Sequence, residues 1–283
     1  MKKLLIPVLS LLLTKAAAQD DLTEKAQPIV KEGRRLYRLE MASWYGTDIF
    51  LEKYKDQASI GGYFSYIDKD TTRCIFYNKT PQPTVLGTIS FDETFTVAAA
   101  RADLTHRPFS EAENEVYGVR LAASKVVNTD TIFKTYKNTS LNIIPVIDEA
   151  ENKVYVLTGP KNNGVVIFGN DYLITFDKKN KLTATRSLHK NIIPIYYDKN
   201  RPDSSREEST IHSHLPETGD YITATDICTL MLYGKFTTWK QHNVVSKNYL
   251  NTWKIETNEL FVIPMSTIQK IMEDQEKRKG KEN

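Results

Sequence analysis

Short apolar segments separated by turn residues constrain the fold of this chain more than any other feature of its sequence. "GGYFSYID", "RCIFYN" and "VLGTISF" are aromatic and β-branched, and "DKDTT" and "KTPQP" separate them. Six more such segments lie between residues 142 and 197, with "EAEN", "GPKNNG" and "KKNK" among the breaks. Runs of this length bounded by turn residues predict an antiparallel meander. We therefore predict an α+β protein whose sheet is mostly antiparallel.

Capping and proline signals refine this prediction. Ser110 and Glu113 have the spacing of a capping box, and the apolar positions that follow recur at a helical period. Pro145 and Pro194 lie inside apolar runs. Because proline cannot donate to a strand ladder, these two runs are predicted to be edge strands or to end there.

The first residues resemble an export signal. Lys2 and Lys3 precede the apolar run "LLIPVLSLLLT", and Ala16 and Ala18 have the small-residue spacing of a cleavage site. We expect an exported protein, periplasmic or secreted, with no transmembrane segment after signal removal. The formal charge of +3 is small for 283 residues, so we expect no nucleic-acid partner.

Composition changes along the chain suggest a division into domains. The polar loop at 197–209 is the best candidate for a boundary or a flap. The predicted parts are a signal peptide at 1–18, a disordered start at 19–35, a β-meander plus helix at 36–145, a second domain at 146–270 and a charged tail at 271–283.

The stretch "HSHLPETGDYITATD" carries the candidate site. His212 and His214 are two residues apart, so on a strand their side chains share one face. Thr223 is a candidate N-cap for the following helix, and Asp226 would lie in its first turn. Two imidazoles and a carboxylate form a ligand set that suits catalytic zinc, which keeps a fourth position for water.

Simpler interpretations remain open. Thr223 and Asp226 have capping-box spacing, which needs no metal. His189 and His242 could be further or supporting ligands, or structural residues. Cys74 and Cys228 could form one bridge, but buried thiols are the favoured interpretation.

The same stretch resembles the metal motif of the JAMM (MPN-type) metalloproteases, which is His-x-His-Pro, a short loop, and Ser-x-x-Asp at the start of a helix. His212 to His214 match the first part, and Thr223 to Asp226 match the last part with threonine for serine. Leu215 displaces the proline by one position. The resemblance covers at most residues 154–263. It implies an MPN-like β-α-β unit, Zn²⁺ as cofactor, His212, His214 and Asp226 as ligands, and Thr223 orienting the bound water or capping the helix.

That family also has a glutamate as general base, about fifty residues upstream of the histidines. Lys161 stands at the corresponding position of "GPKNNGVVIFGN". Replacement candidates exist, although each could equally be a surface acid: Glu40, Glu207, Glu208 and Glu217. The loss of a general base costs a hydrolase about 100-fold or more in rate.

Two functional hypotheses follow. The first is an exported zinc metalloprotein that hydrolyses a peptide or isopeptide bond. The second is a non-catalytic exported binding or host-interaction protein in which the histidine site is degenerate or incidental.

Overall fold

The computed structural model describes residues 21–198 and 207–279. The predicted signal at 1–18 and most of the polar loop lie outside these residues. The fold is α+β with mostly antiparallel sheets, as predicted. In the part of the chain that is described, no helix has the length and apolar character needed to span a membrane.

Two compact units divide the chain. The central unit is Arg34–Tyr196, and the segmented unit comprises the described residues of Met1–Gly33 and Tyr197–Asn283. After Gly33, the next division falls between Tyr196 and Tyr197, at the start of the polar loop.

The helices and strands follow one another without a long unstructured stretch among the described residues. The helices are α1 (Gln27–Lys53), α2 (Glu111–Thr129), α3 (Ala224–Tyr233) and α4 (Met265–Lys279). The strands are β1 (Ile60–Asp68), β2 (Thr71–Asn78), β3 (Val85–Phe91), β4 (Arg101–Asp103), β5 (Thr139–Ile147), β6 (Asn152–Pro160), β7 (Val165–Gly169), β8 (Tyr172–Phe176), β9 (Leu182–Ser187), β10 (Ile192–Tyr196), β11 (Ser209–Ser213), β12 (Gln241–Val245), β13 (Tyr249–Lys254) and β14 (Glu259–Pro264).

The central unit contains the predicted meander. Its sheets have the strand orders β1-β2-β3-β4 and β5-β6-β8-β9, and β10 pairs with β7 alone. Pro145 lies on the edge strand β5 and Pro194 on β10, which agrees with their predicted positions. Helix α2 packs its buried Val119 and Ala123 against Val154 of β6 in one apolar cluster.

Helix α1 corrects two predictions. Residues 27–35 are helical and not disordered, and residues 36–53 continue the helix where we predicted the start of a meander. Leu36, Leu39 and Phe50 are buried. At the other end of the chain, residues 271–279 of the predicted charged tail belong to α4.

The segmented unit contains a four-stranded sheet of order β11-β12-β13-β14. β11 and β12 are parallel and are connected through α3, while the other two pairs are antiparallel. This is the predicted β-α-β unit. Gly33, which belongs to this unit, has no room for a side chain, because a Cβ there would lie 2.7 Å from Ile227 Cβ of α3. Both cysteines are buried thiols.

Candidate metal site

The histidine pair lies at the end of β11. The strand alternates strictly between exposed and buried residues, with Thr210 and His212 buried. His214 follows the strand and is also buried, and its amide donates to the Val245 carbonyl at 2.8 Å. The two imidazoles therefore share the inner face of the sheet, as the spacing of the residues predicts.

Asp226 reaches this face from the first turn of α3. Thr223 is the N-cap of α3, and its Oγ1 accepts a hydrogen bond from the Asp226 amide at 3.1 Å. In return, Asp226 Oδ2 accepts from the Thr223 amide at 3.0 Å and from its hydroxyl at 2.8 Å. The predicted capping box is therefore present. It fixes the carboxylate and does not conflict with a ligand role.

The three predicted ligands converge. Asp226 Oδ2 lies 3.1 Å from His214 Nε2, and Asp226 Oδ1 lies 3.8 Å from His212 Nε2. One donor atom from each residue lies within 4.8 Å of the others. Two ligands of a tetrahedral zinc ion are about 3.3 Å apart. The side chains are at most 2 % exposed, so these residues form a buried group that could hold a metal ion.

His242 supports His212 from the neighbouring strand. His242 Nε2 lies 2.8 Å from His212 Nδ1, and His242 Nδ1 lies 2.8 Å from Thr210 Oγ1. Burial, with a smaller contribution from the charge of His212, lowers the pKa of His242 to about 3. This ring is therefore neutral at pH 7, with one donor and one acceptor nitrogen.

The neutral ring of His242 permits the tautomer that a ligand needs. When His242 Nδ1 donates to Thr210, its Nε2 accepts from His212 Nδ1. His212 Nε2, which faces Asp226, then carries a lone pair. Metal-binding histidines typically donate their second nitrogen in this way, which fixes the ring orientation. The role of His242 follows from the parallel register that places β12 beside β11, which residue spacing within one segment does not reveal.

The candidate bases have other environments. Glu207 and Glu217 are exposed, and the exposed Glu208 carboxylate lies 2.6 Å from Lys240 Nζ. Glu40 lies in α1 of the central unit, where its Oε2 accepts from Asn142 at 2.9 Å. Burial raises the pKa of Glu40 to about 7. Lys161 is exposed directly after β6.

His189, the other histidine considered as a ligand, belongs to the central unit. It is buried there, with its Nδ1 2.7 Å from Asp171 Oδ1. A carboxylate in that position fixes the tautomer and orientation of the ring.

Comparisons with protein-family models, with curated proteins and with solved structures found no match for this chain. The proposals that follow therefore depend on the geometry of its own residues.

Proposed function

We propose that the segmented unit is a metal-binding domain whose ion, Zn²⁺ by preference, is held by His212, His214 and Asp226. The observation that carries this proposal is the convergence of two imidazoles and one carboxylate in a buried group. Burying a carboxylate is costly without a balancing charge, and a divalent ion held between Asp226 and the two imidazoles would supply that charge.

The ligand set favours zinc over the hard cations. Imidazole nitrogen suits zinc, copper, iron and nickel, whereas magnesium and calcium prefer oxygen ligands. The capping box on Asp226 and the His242 contact on His212 hold two of the three ligands in place. Such support typically raises metal affinity 10- to 100-fold.

Zinc content tests the proposal directly. Purified protein should contain close to one zinc ion per chain by plasma mass spectrometry, and His212→Ala and Asp226→Ala should each abolish stoichiometric binding. His106→Ala is the matched control, because His106 is an exposed histidine of the central unit. Circular dichroism establishes that each variant is folded. Wild-type protein that binds no zinc at micromolar concentration would contradict the proposal.

A finer proposal is that the domain hydrolyses a peptide or isopeptide bond, as the JAMM resemblance implies. The observation in favour is the ligand set itself, since two histidines and one carboxylate leave a fourth zinc position for water. Bound zinc would supply an activated water and polarise the substrate carbonyl. The Thr223 hydroxyl, which contacts Asp226 Oδ2, would hold that ligand in position.

The presence of a general base would distinguish a hydrolase from a protein that only binds zinc. Glu207, Glu208 and Glu217 are the acids of the segmented unit that we considered for the role, and all three are exposed. A panel of peptide and isopeptide substrates should be tested with zinc-loaded protein and with each Glu→Gln variant. Turnover that is lost in one of these variants at unchanged zinc content would identify the base. Stoichiometric zinc without turnover would favour the exported binding protein.

A further inference from the structure

Two of the proposed ligands lie at opposite ends of one surface loop. Residues 215–222, which we call the ligand loop, connect His214 at the end of β11 to α3, whose first turn carries Asp226. Residues 215–217 are exposed, and Gly219 has a φ of +99°, a conformation that favours glycine. The separation of the two ligands therefore depends on what fixes the second half of the loop.

A buried asparagine bonds the second half of the ligand loop to the sheet. Asn251 on β13 is fully buried, and its Nδ2 donates to the Asp220 carbonyl at 2.9 Å and to the Val244 carbonyl at 3.3 Å. In the strand register, Asn251 lies across from Val244, and Val244 lies across from His212. Because a buried donor that loses its acceptor is costly, this bond opposes movement of the loop relative to the row of residues that includes His212.

The carboxylate of Asp220 makes a second connection, to the turn between β12 and β13. Asp220 Oδ2 accepts from Asn248 Nδ2 at 2.7 Å, and Oδ1 accepts from the Asn248 amide at 3.3 Å. The rings of Tyr221 and Tyr249 are also in contact, with centroids 5.2 Å apart. The turn itself is closed by Ser246, whose Oγ accepts from the Tyr249 amide at 3.0 Å. Asp220 is therefore held at its carbonyl and at its carboxylate by the same hairpin.

The β12–β13 hairpin also contacts both histidine ligands. His242 Nε2 lies 2.8 Å from His212 Nδ1, and the Val245 carbonyl accepts from the His214 amide at 2.8 Å. The hairpin thus bonds to the segments that carry the proposed ligands, although it supplies none of the three. Groups that are fixed before a ligand arrives lose less conformational entropy when it binds. Contacts that hold the ligand loop should therefore affect metal affinity.

We propose that Asp220 and its two partners, Asn248 and Asn251, position the ligand loop and thereby set the zinc affinity of the site. They act through the loop, whose shape fixes the separation of His214 and Asp226. This inference rests on the proposed metal function, because it concerns how the same ligands are held. Asp220 is thus a positioning residue and not a ligand.

Zinc titration of the folded protein tests this proposal. Asp220→Ala and Asn248→Ala should each weaken zinc binding by about 10-fold, the lower end for contacts that support metal ligands. The double variant should lose no more than Asp220→Ala alone, because the two side chains bond to each other. Asp220→Asn keeps an acceptor oxygen for Asn248 and should lose less affinity than Asp220→Ala. Competition with a colorimetric zinc chelator measures each Kd, and circular dichroism establishes that each variant is folded.

Asp92→Ala is the matched control. Asp92 Oδ1 accepts from the amide and the hydroxyl of one loop residue, Thr94, at 2.9 and 2.6 Å, but it belongs to the central unit. Its loss should leave the zinc affinity unchanged. Asn251→Ala removes the buried donor and should weaken zinc binding more than Asp220→Ala does. Should that variant fail to fold, the variants of Asp220 and the exposed Asn248 decide the question.

Cobalt distinguishes positioning of the ligands from a general loss of stability. A lower stability does not change the Kd of protein that remains folded, whereas displaced ligands change the visible absorption of Co²⁺ bound in place of zinc. These bands should change in Asp220→Ala and stay as in the wild type in Asp92→Ala. If Asp220→Ala and Asn248→Ala keep the wild-type zinc affinity and cobalt spectrum, the positioning role is overturned while the metal site stands. A wild type that binds no zinc would overturn both.

Discussion

Two helices of this protein begin with the same local structure and differ in what faces their acidic residue. α2 begins with Ser110 and Glu113, and α3 begins with Thr223 and Asp226. In each capping box the hydroxyl accepts from the amide of the acid, and the carboxylate accepts from the amide of the N-cap residue. Both acids are 1 % exposed. Local sequence therefore predicts the same role for both.

The partners separate the two acids. Arg107 donates to both oxygens of Glu113, at 2.6 and 2.8 Å. Because a guanidinium is always charged, this carboxylate already has its cation. Asp226 instead faces the ring nitrogens of His212 and His214. Both carboxylates thus belong to a capping box, but that of Glu113 is already balanced by Arg107, whereas that of Asp226 is well suited to a metal ion.

The largest expected difference between the two capping boxes is the increase in stability that zinc produces through each of them. At a zinc concentration about 1,000 times the dissociation constant, binding stabilises a fold by about 4 kcal/mol. Asp226→Asn keeps an oxygen for the Thr223 amide but loses the charge, so this increment should vanish. Glu113→Gln should keep it. The measurement is thermal unfolding with and without zinc, against a chelator baseline. An equal zinc increment in both variants would contradict the distinction.

In the absence of metal, Glu113→Gln should destabilise the protein more than Asp226→Asn does, by about 2 kcal/mol, because it removes the charged hydrogen-bond partner of Arg107, whose side chain is 35 % exposed. Burial raises the pKa of Glu113, but the hydrogen bonds and charge of Arg107 and the Ser110 amide outweigh burial and lower it overall. The stabilisation is therefore present above the unfolded pKa of about 4.3 and is lost as the pH falls through the folded value. Denaturant unfolding of both proteins between pH 3 and 7 measures it. If the difference in unfolding free energy between the wild type and Glu113→Gln stays constant down to pH 3, the ion pair is not the source of that difference.

Sequence patterns revealed those features that depend on neighbours along the chain. Both capping boxes, the β-α-β unit and the shared face of His212 and His214 agree with prediction. Helix α1 was not predicted, because its segment "MASWYG" combines aromatic residues with glycine in the same way as the strand segments of this chain. Gly46 lies there because a Cβ would be 2.9 Å from Cys74 Cβ of β2, which is a tertiary constraint. The support of His212 by His242 was likewise not derivable, since it depends on strand register.

A third acid, Glu40, extends the comparison to a carboxylate with an amide partner. It accepts from Asn142, and burial raises its pKa to about 7 despite that bond and the charge of Arg120. Because the folded pKa exceeds the unfolded one, the folded state loses stability as the pH rises from about 4.3 to 7. Glu40→Gln keeps an acceptor for Asn142 and should stabilise the protein by about 2 kcal/mol at pH 8 and by nothing at pH 4. Chemical denaturation at the two pH values measures this, and an equal effect at both would refute it.

Removal of the N-cap hydroxyls should give the smallest changes in stability. It should also distinguish a capping role from a role in the metal site. Ser110→Ala and Thr223→Ala each remove one cap, which costs about 1 kcal/mol of stability in either helix. The Thr223 hydroxyl also donates to Asp226 Oδ2, so its loss should in addition weaken zinc binding by about 10-fold, the lower end for a supporting contact. Thr223→Ser, which restores the hydroxyl, should recover the affinity. Isothermal titration with zinc measures all three variants. If Thr223→Ala loses stability but keeps full zinc affinity, then α3 is capped as α2 is and its box contributes nothing to the metal site.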